Sequence, residues 1–213
     1  MKYVISDIHG CYDKFMKMLE VINFQPEDQM YILGDVIDRG KESIKLLQYI
    51  MKQFNMELLL GNHEEMALQW LKNNDSGYFS CWMNNGGQST YSQYCELNDI
   101  ERVTIIEYLN HRPLFLTIDK YILVHAGVDF KTKGNQSRET LLWTRDEFIN
   151  SVDRFKDNVV IFGHTPTYYM QPNIKPMKIW KEHDGKIGID CGVVFNGGQL
   201  GCLRLDDMAE FYV

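Results

Sequence analysis

Five short segments combine acids, histidines and glycines in a spacing that suits cation or anion binding. They are Asp7-Ile8-His9-Gly10, Gly34-Asp35-Val36-Ile37-Asp38-Arg39-Gly40, Gly61-Asn62-His63-Glu64, His125-Ala126-Gly127 and Gly163-His164-Thr165-Pro166. Four of the six histidines fall in them. In the second segment Asp35, Asp38 and Arg39 follow directly on the apolar run Met30–Leu33. Unlike charges so close together are costly to desolvate unless metal ions or an anion complete the cluster. Alone, that heptapeptide also reads as a turn with a surface Asp38–Arg39 ion pair. The joint pattern argues for a metal site. Mixed His, Asp and Asn donors without cysteine suit borderline divalent ions such as manganese, iron, zinc or nickel. A zinc-protease helix is excluded, because the fourth residue after His63 is Ala67.

These segments need strands to position them. Lys2–Ser6, Met30–Leu33, Glu57–Leu60, Tyr121–Val124 and Val159–Phe162 read as short buried strands, each ending at one polar segment. Between them, Tyr12–Ile22 and Ser43–Phe54 carry apolar residues at helical spacing: Phe15, Met18, Leu19 and Ile22, then Ile44, Leu47 and Met51. Strand, polar turn and helix in alternation predict parallel strands, with ligands at their carboxyl ends. Small neighbours let the backbone approach the site closely.

Residues 63–110 interrupt this alternation. They read as mostly helical, broken at 73–77 and 84–87. Tyr78, Phe79, Trp82, Tyr91 and Tyr94 either form the small core of this insert or wall the site. Asn62 suits a ligand or an N-cap, and the two roles are compatible. His111, before Arg112-Pro113, reads as structural at a helix end. A helix is expected over Arg138–Asn150. Beyond it the chain turns all-β, with strands expected at Met177–Trp180, Lys186–Asp190, Gln199–Leu205 and Glu210–Val213. Asp184-Gly185 and Asn196-Gly197 are turn signals between them.

The chain has 213 residues, 45% hydrophobic and 24% charged, enough for one domain with a sizeable core. Its net charge of −7 and the lack of a basic face speak against a long nucleic acid and against polybasic membrane attachment. Five scattered cysteines without a Cys-x-x-Cys pair suggest a reduced, cytoplasmic protein. Cys11 and Cys191 are read as packing residues near the site. An early Asp7 and the absence of a long apolar run give no signal-peptide core or membrane span.

The five ordered motifs resemble the signature of the calcineurin-like metallophosphoesterases. Gly40 after the arginine, together with Trp143-Thr144-Arg145, resembles the phosphoprotein-phosphatase branch, and most closely its lambda-type bacterial and bacteriophage serine/threonine phosphatases. Symmetrical diadenosine tetraphosphatases share the same motifs. The match spans residues 5–192. Ser6 departs from it, since the family usually has Gly there, and changes no ligand. The resemblance implies a two-sheet β-sandwich flanked by helices in αββα layers, as a single domain with a helical insert at about 64–112. It implies two divalent ions, manganese foremost, held by Asp7, His9 and Asp35 and by Asp35, Asn62, His125 and His164. Such a pair, about 3.5–4 Å apart, shares a hydroxide of lowered pKa and clamps an in-line displacement at phosphorus. Arg39 and Arg145 would bind phosphate oxygens with Asn62 nearby, His63 would protonate the leaving oxygen, and Asp38 would orient His63. The implied substrate is a phosphorylated protein, peptide or small phosphate ester. The alternative is a dinucleoside polyphosphate. A non-catalytic binding module would lack a ligand, His63 or Arg39, and all are present.

Overall fold

Strict alternation in short strands builds a four-layer core. Tyr3 and Ile5 of β1 (Lys2–Ile5) point one way, toward helices, and Val4 points the other, toward a second sheet. Met30 and Ile32 of β2 (Gln29–Ile32) likewise face helices, while Tyr31 joins Val4 between the sheets. The computed structural model describes residues 1–213 except Lys133, His183 and Asp184.

The first sheet runs in the order β10-β9-β1-β2-β3, with β3 at Met56–Leu58, β9 at Gly201–Arg204 and β10 at Glu210–Tyr212. β1, β2 and β3 are parallel, and β9 is antiparallel to both its neighbours. The second sheet runs β4-β5-β6-β8-β7. Here β5 (Tyr121–Val124), β6 (Val159–Phe162) and β8 (Lys186–Gly188) are parallel, edged by antiparallel β4 (Phe115–Ile118) and β7 (Trp180–Lys181).

Val4, Leu33, Leu123, Ile161, Ile189 and Leu203 fill the space between the sheets. Each such side chain contributes roughly 1.5–3 kcal/mol on leaving water, so this layer is a main source of stability. Phe15 of α1 (Tyr12–Val21) and Leu46, Leu47 and Ile50 of α2 (Ser43–Met51) cover the outer face of the first sheet. Leu141 and Phe148 cover Val124, Val160 and Phe162 on the outer face of the second. The αββα arrangement expected from the motifs is the one observed.

The insert forms four helices: α3 (Asn62–Asn73), α4 (Ser76–Asn84), α5 (Gln88–Cys95) and α6 (Asp99–Asn110). His111 is the exposed C-terminal cap of α6.

Three elements differ from expectation. β4 has no counterpart in the sequence reading. It is a half-exposed edge strand joined to β5 through Asp119 and Lys120, with Asp119 in a left-handed conformation (φ 54°). The helix expected over 138–150 is two, α7 (Arg138–Trp143) and α8 (Asp146–Ile149), separated where Thr144 turns extended (ψ 146°). The strand expected at 177–180 shortens to Trp180–Lys181. His183 and part of the 184–185 turn lie outside the described residues. Among the described residues no helix is long and apolar enough to cross a membrane.

Candidate metal centre

All five motif segments lie just past the carboxyl ends of parallel strands: β1, β2 and β3 in one sheet, β5 and β6 in the other. They meet at one buried spot. Asp7, His9, Asp35, Asp38, Asn62, His63, His125 and His164 are each 5% exposed or less. The backbone there is bent sharply. Asp7, His9, Asp35, Asp38, Arg39 and His164 all have positive φ, between 47° and 73°. Such conformations cost free energy in non-glycine residues and concentrate at functional sites. Two glycines make the crowding possible. A Cβ at Gly34 (φ 86°) would sit 2.9 Å from His125 Nδ1, and one at Gly163 would overlap the Asp7 carboxyl and the Ser6 hydroxyl.

Glu64 knits the bent segments together. Its Oε2 accepts from the backbone N–H of Asp35 (2.8 Å) and Gly61 (3.0 Å), and its Oε1 from Val36 (2.9 Å) and Ile37 (3.2 Å). The contact to Gly61 is a capping-box feature of α3. Gly61, not Asn62, is the N-cap, and this leaves the Asn62 side chain free to face the site.

Donor atoms converge in two clusters, His9–Asp35–His63 and Asp35–His125–His164, each within 4.8 Å, and Asp35 belongs to both. Ring hydrogen bonds assign the tautomers. His9 Nδ1–H donates to Ile37 O (2.9 Å), and His125 Nδ1–H donates to Leu33 O (2.7 Å). Each neutral ring therefore presents a bare Nε2 to the site. That of His125 lies 2.8 Å from Asn62 Oδ1, 3.2 Å from His164 Nδ1 and 3.5 Å from Asp35 Oδ1. That of His9 lies 3.8 Å from Asp35 Oδ2. His125 Nε2, Asn62 Oδ1 and Asp35 Oδ1 are thus acceptors brought together, a set that a cation would suit, whereas His9 Nε2 accepts an N–H of Arg39. His164 Nε2 is buried with no hydrogen-bond partner, a further donor atom left open. Burial lowers the pKa of His9, His125 and His164, which favours the neutral, ligating form.

The acids give the same indication. Burial, then Asp7 and Glu64, raise Asp35 well above the carboxylate range, and burial and Asp7 raise Asp190 likewise. A divalent cation would offset that crowding of negative charge. Asp7 belongs to neither cluster. Its Oδ2 accepts from His164 N (2.9 Å) and from the hydroxyl of Ser6, the position where the sequence departs from the motif.

The remaining residues adjoin the clusters. His63 Nδ1–H donates to Asp38 Oδ2 at 2.6 Å. Arg39 is no surface ion-pair partner of Asp38. It reaches inward, donating to His9 Nε2 (2.8 Å) and His63 Nε2 (3.0 Å). Arg145, at the break between α7 and α8, donates to His164 O (2.9 Å) and Thr165 Oγ1 (3.2 Å). Arg39 and Arg145 line one cleft of about 340 Å3 with His164, Thr165, Tyr169 and Phe195. Sequence reading missed Asp190, two residues past β8, and the wide reach of Glu64. An acid closing an apolar strand was a signal for the first. Capping-box spacing was a signal for the second.

A family profile described as calcineurin-like phosphoesterase matches residues 3–197. The chain belongs to this family. It is a hydrolase of the metallophosphoesterase type, and members of the family use divalent metals. Serine/threonine-protein phosphatase 2 of Salmonella typhimurium is 32% identical over 176 residues, covering 76% of this chain and 78% of that protein. Serine/threonine-protein phosphatase 1 of the same organism is 29% identical over 95% of this chain and 91% of its own length. The symmetrical bis(5'-nucleosyl)-tetraphosphatase of Methylobacillus flagellatus is 32% identical, over 59% of this chain and 43% of that protein. Among solved structures, one described provisionally as a diadenosine tetraphosphatase shares the fold at TM-score 0.74 and 17% identity, over 100% of this chain and 92% of that one. A protein serine/threonine phosphatase from Saccharomyces cerevisiae does so at 0.60 and 17%, over 100% and 78%.

Proposed function

We propose that the chain is a phosphomonoesterase acting on phosphoserine and phosphothreonine in proteins or peptides, with two divalent ions at the paired clusters. The observation that carries this reading is the position of Asp35, whose carboxylate belongs to both donor clusters. Asp7, His9 and Asp35 would hold one ion, and Asp35, Asn62, His125 and His164 the other, with manganese foremost and iron, zinc or nickel as alternatives. When bound, such ions lower the pKa of a water and neutralise charge on phosphate oxygens.

The chain's own residues do the rest. Arg39 and Arg145 bind phosphate oxygens with planar guanidinium forks. Arg39 now donates to His63 Nε2. Burial and that guanidinium push His63 well below the imidazole range. A phosphate dianion would draw the Arg39 N–H groups to itself and favour the protonated ring. His63 then gives its Nε2 proton to the leaving alkoxide, while Asp38 holds Nδ1–H and steadies the imidazolium. Asn62 sits where it can serve both ion and substrate. Residues 1–213 act as one domain, with 64–112 as its insert, and the reading is of a cytoplasmic enzyme.

The extent of the matches favours protein phosphatases, since they cover 78% and 91% of those relatives against 43% of the tetraphosphatase. One observation favours a symmetrical dinucleoside-polyphosphate hydrolase instead. Tyr169 (73% exposed) and Phe195 (47%) stand in the arginine cleft, where a base could stack. Manganese-loaded protein assayed on phosphoserine peptides and on diadenosine tetraphosphate decides between them. The proposal expects the higher kcat/KM on the peptides, and the reverse order overturns it.

A further inference from the structure

The aromatic insert carries one polar contact that packing alone does not require. Trp82 of α4 is wholly buried in the insert's core. Its ring meets Tyr91 edge-on at 5.9 Å. Yet its indole N–H leaves that core and donates to both oxygens of Asp38, at 2.8 Å (Oδ2) and 3.0 Å (Oδ1). Oδ2 is the same atom that receives His63 Nδ1–H. Thr90 of α5 approaches the same residue. Its Oγ1 accepts the Asp38 backbone N–H at 2.9 Å, an N–H that Ser43 Oγ shares at 2.9 Å. The loop between the two helices completes the hold, as Gly86 O accepts the Arg39 N–H at 3.0 Å. Asp38 (φ 73°) and Arg39 (φ 63°) are both left-handed, and the insert catches the amide of each.

We propose that Trp82 is a positioning residue for His63. Its N–H fixes the Asp38 carboxylate in the plane and rotamer that receives Nδ1–H. That in turn sets the ring so that Nε2 faces the substrate cleft. A carboxylate with a free second oxygen could rotate, and the imidazole would follow it. The indole and the carboxyl are both wholly buried, so water cannot replace this hydrogen bond in so packed a spot. The insert is thus neither only a core nor a wall of the cleft. Segment 82–90 acts as a clamp on the Asp38–Arg39 turn. This inference rests on the reading of His63 as general acid.

The test uses the metal-loaded 213-residue chain. Trp82→Phe keeps the ring and removes the N–H. On a phosphoserine peptide its kcat is expected to fall about tenfold or more, part of the roughly 10²- to 10⁴-fold that general acid catalysis supplies. On p-nitrophenyl phosphate, whose leaving group needs no proton, the loss should be much smaller, with KM little changed on both. In a His63→Asn background, Trp82→Phe should add nothing. Independently of turnover, the short His63–Asp38 bond should give a downfield imidazole N–H proton resonance. Asp38→Asn removes it and Trp82→Phe shifts it upfield. Should Trp82→Phe not fold, Thr90→Val withdraws the other side-chain contact and is measured in the same way. Equal slowing of both substrates, an additive loss in the His63→Asn background, or an unmoved resonance overturns the proposal. If His63→Asn itself slows both substrates equally, the general-acid reading falls and takes this proposal with it. If His63→Asn discriminates and Trp82→Phe does not, only the role of Trp82 falls.

Discussion

Asp35→Asn is expected to reduce phosphate-ester turnover to background while leaving a folded chain with weakened affinity for divalent ions. The fold should survive for two reasons. Asparagine tolerates the left-handed backbone at this position (φ 54°). Its side-chain oxygen can still accept the His63 N–H that Asp35 Oδ1 now receives at 3.1 Å. The charge is what is lost. Burial, with Asp7 and Glu64 nearby, raises the Asp35 pKa. In the metal-free chain an acid shifted upward contributes stability when protonated and loses it as pH rises. The amide removes that dependence, so the metal-free melting temperature at neutral pH should hold or rise. Metal affinity should move the other way. Residues that merely support a ligand alter it by roughly 10- to 100-fold, and the proposed shared ligand should exceed that range. Calorimetric titration with manganese, set beside turnover, checks both halves. Unchanged metal affinity with full turnover would remove Asp35 from the centre of the account.

His63→Asn is the second large effect. Its ring is hydrogen-bonded to Arg39 and Asp38, and although it is one of the three groups of the His9–Asp35–His63 cluster it is proposed as the acid and not as a ligand. Both ions should therefore stay. Turnover of phosphoserine peptides is expected to drop by roughly 10²- to 10⁴-fold, the usual range for a lost general acid. An aryl phosphate should lose far less, because its leaving oxygen departs as a stable anion. The comparison of kcat on the two substrates, with metal content measured on the same sample, reads this directly. Equal losses would mean that His63 acts on the ground state or on the ions and not on the leaving group.

The five strand ends were legible because each motif follows a short apolar run, and such runs in a βα alternation deliver their last residues to one edge. Asp7, His9, Asp35, Asp38, Arg39, Asn62, His63, His125 and His164 could be grouped from sequence for that reason, although Asp7 joins neither donor cluster. β4 escaped because Phe115-Leu116-Thr117-Ile118 is a half-exposed edge strand in which three of four residues are apolar, so its alternation shows only in the burial and not in the residue types. The break at Thr144-Arg145 escaped because helical spacing continues across it. What turns the chain is a tertiary contact, Arg145 to His164 O. Glu64 was visible as part of a motif, yet its hold on Asp35, Val36 and Ile37 spans 27 to 29 residues and depends on β2 and β3 lying side by side. Trp82 had no local signal either. Nothing in 78–94 says which of five aromatics turns its polar edge to Asp38. Spacing reveals which residues end strands, while contacts between distant segments decide which of them hold the reacting groups in place.

The central claim is that divalent ions at the Asp35 clusters are required for turnover. The most direct test strips the protein with a chelator, verifies metal content by elemental analysis, and follows phosphoserine-peptide hydrolysis as manganese is added back. The account predicts no turnover in the stripped protein and recovery that saturates at two ions per chain. Turnover that persists after verified removal would contradict it.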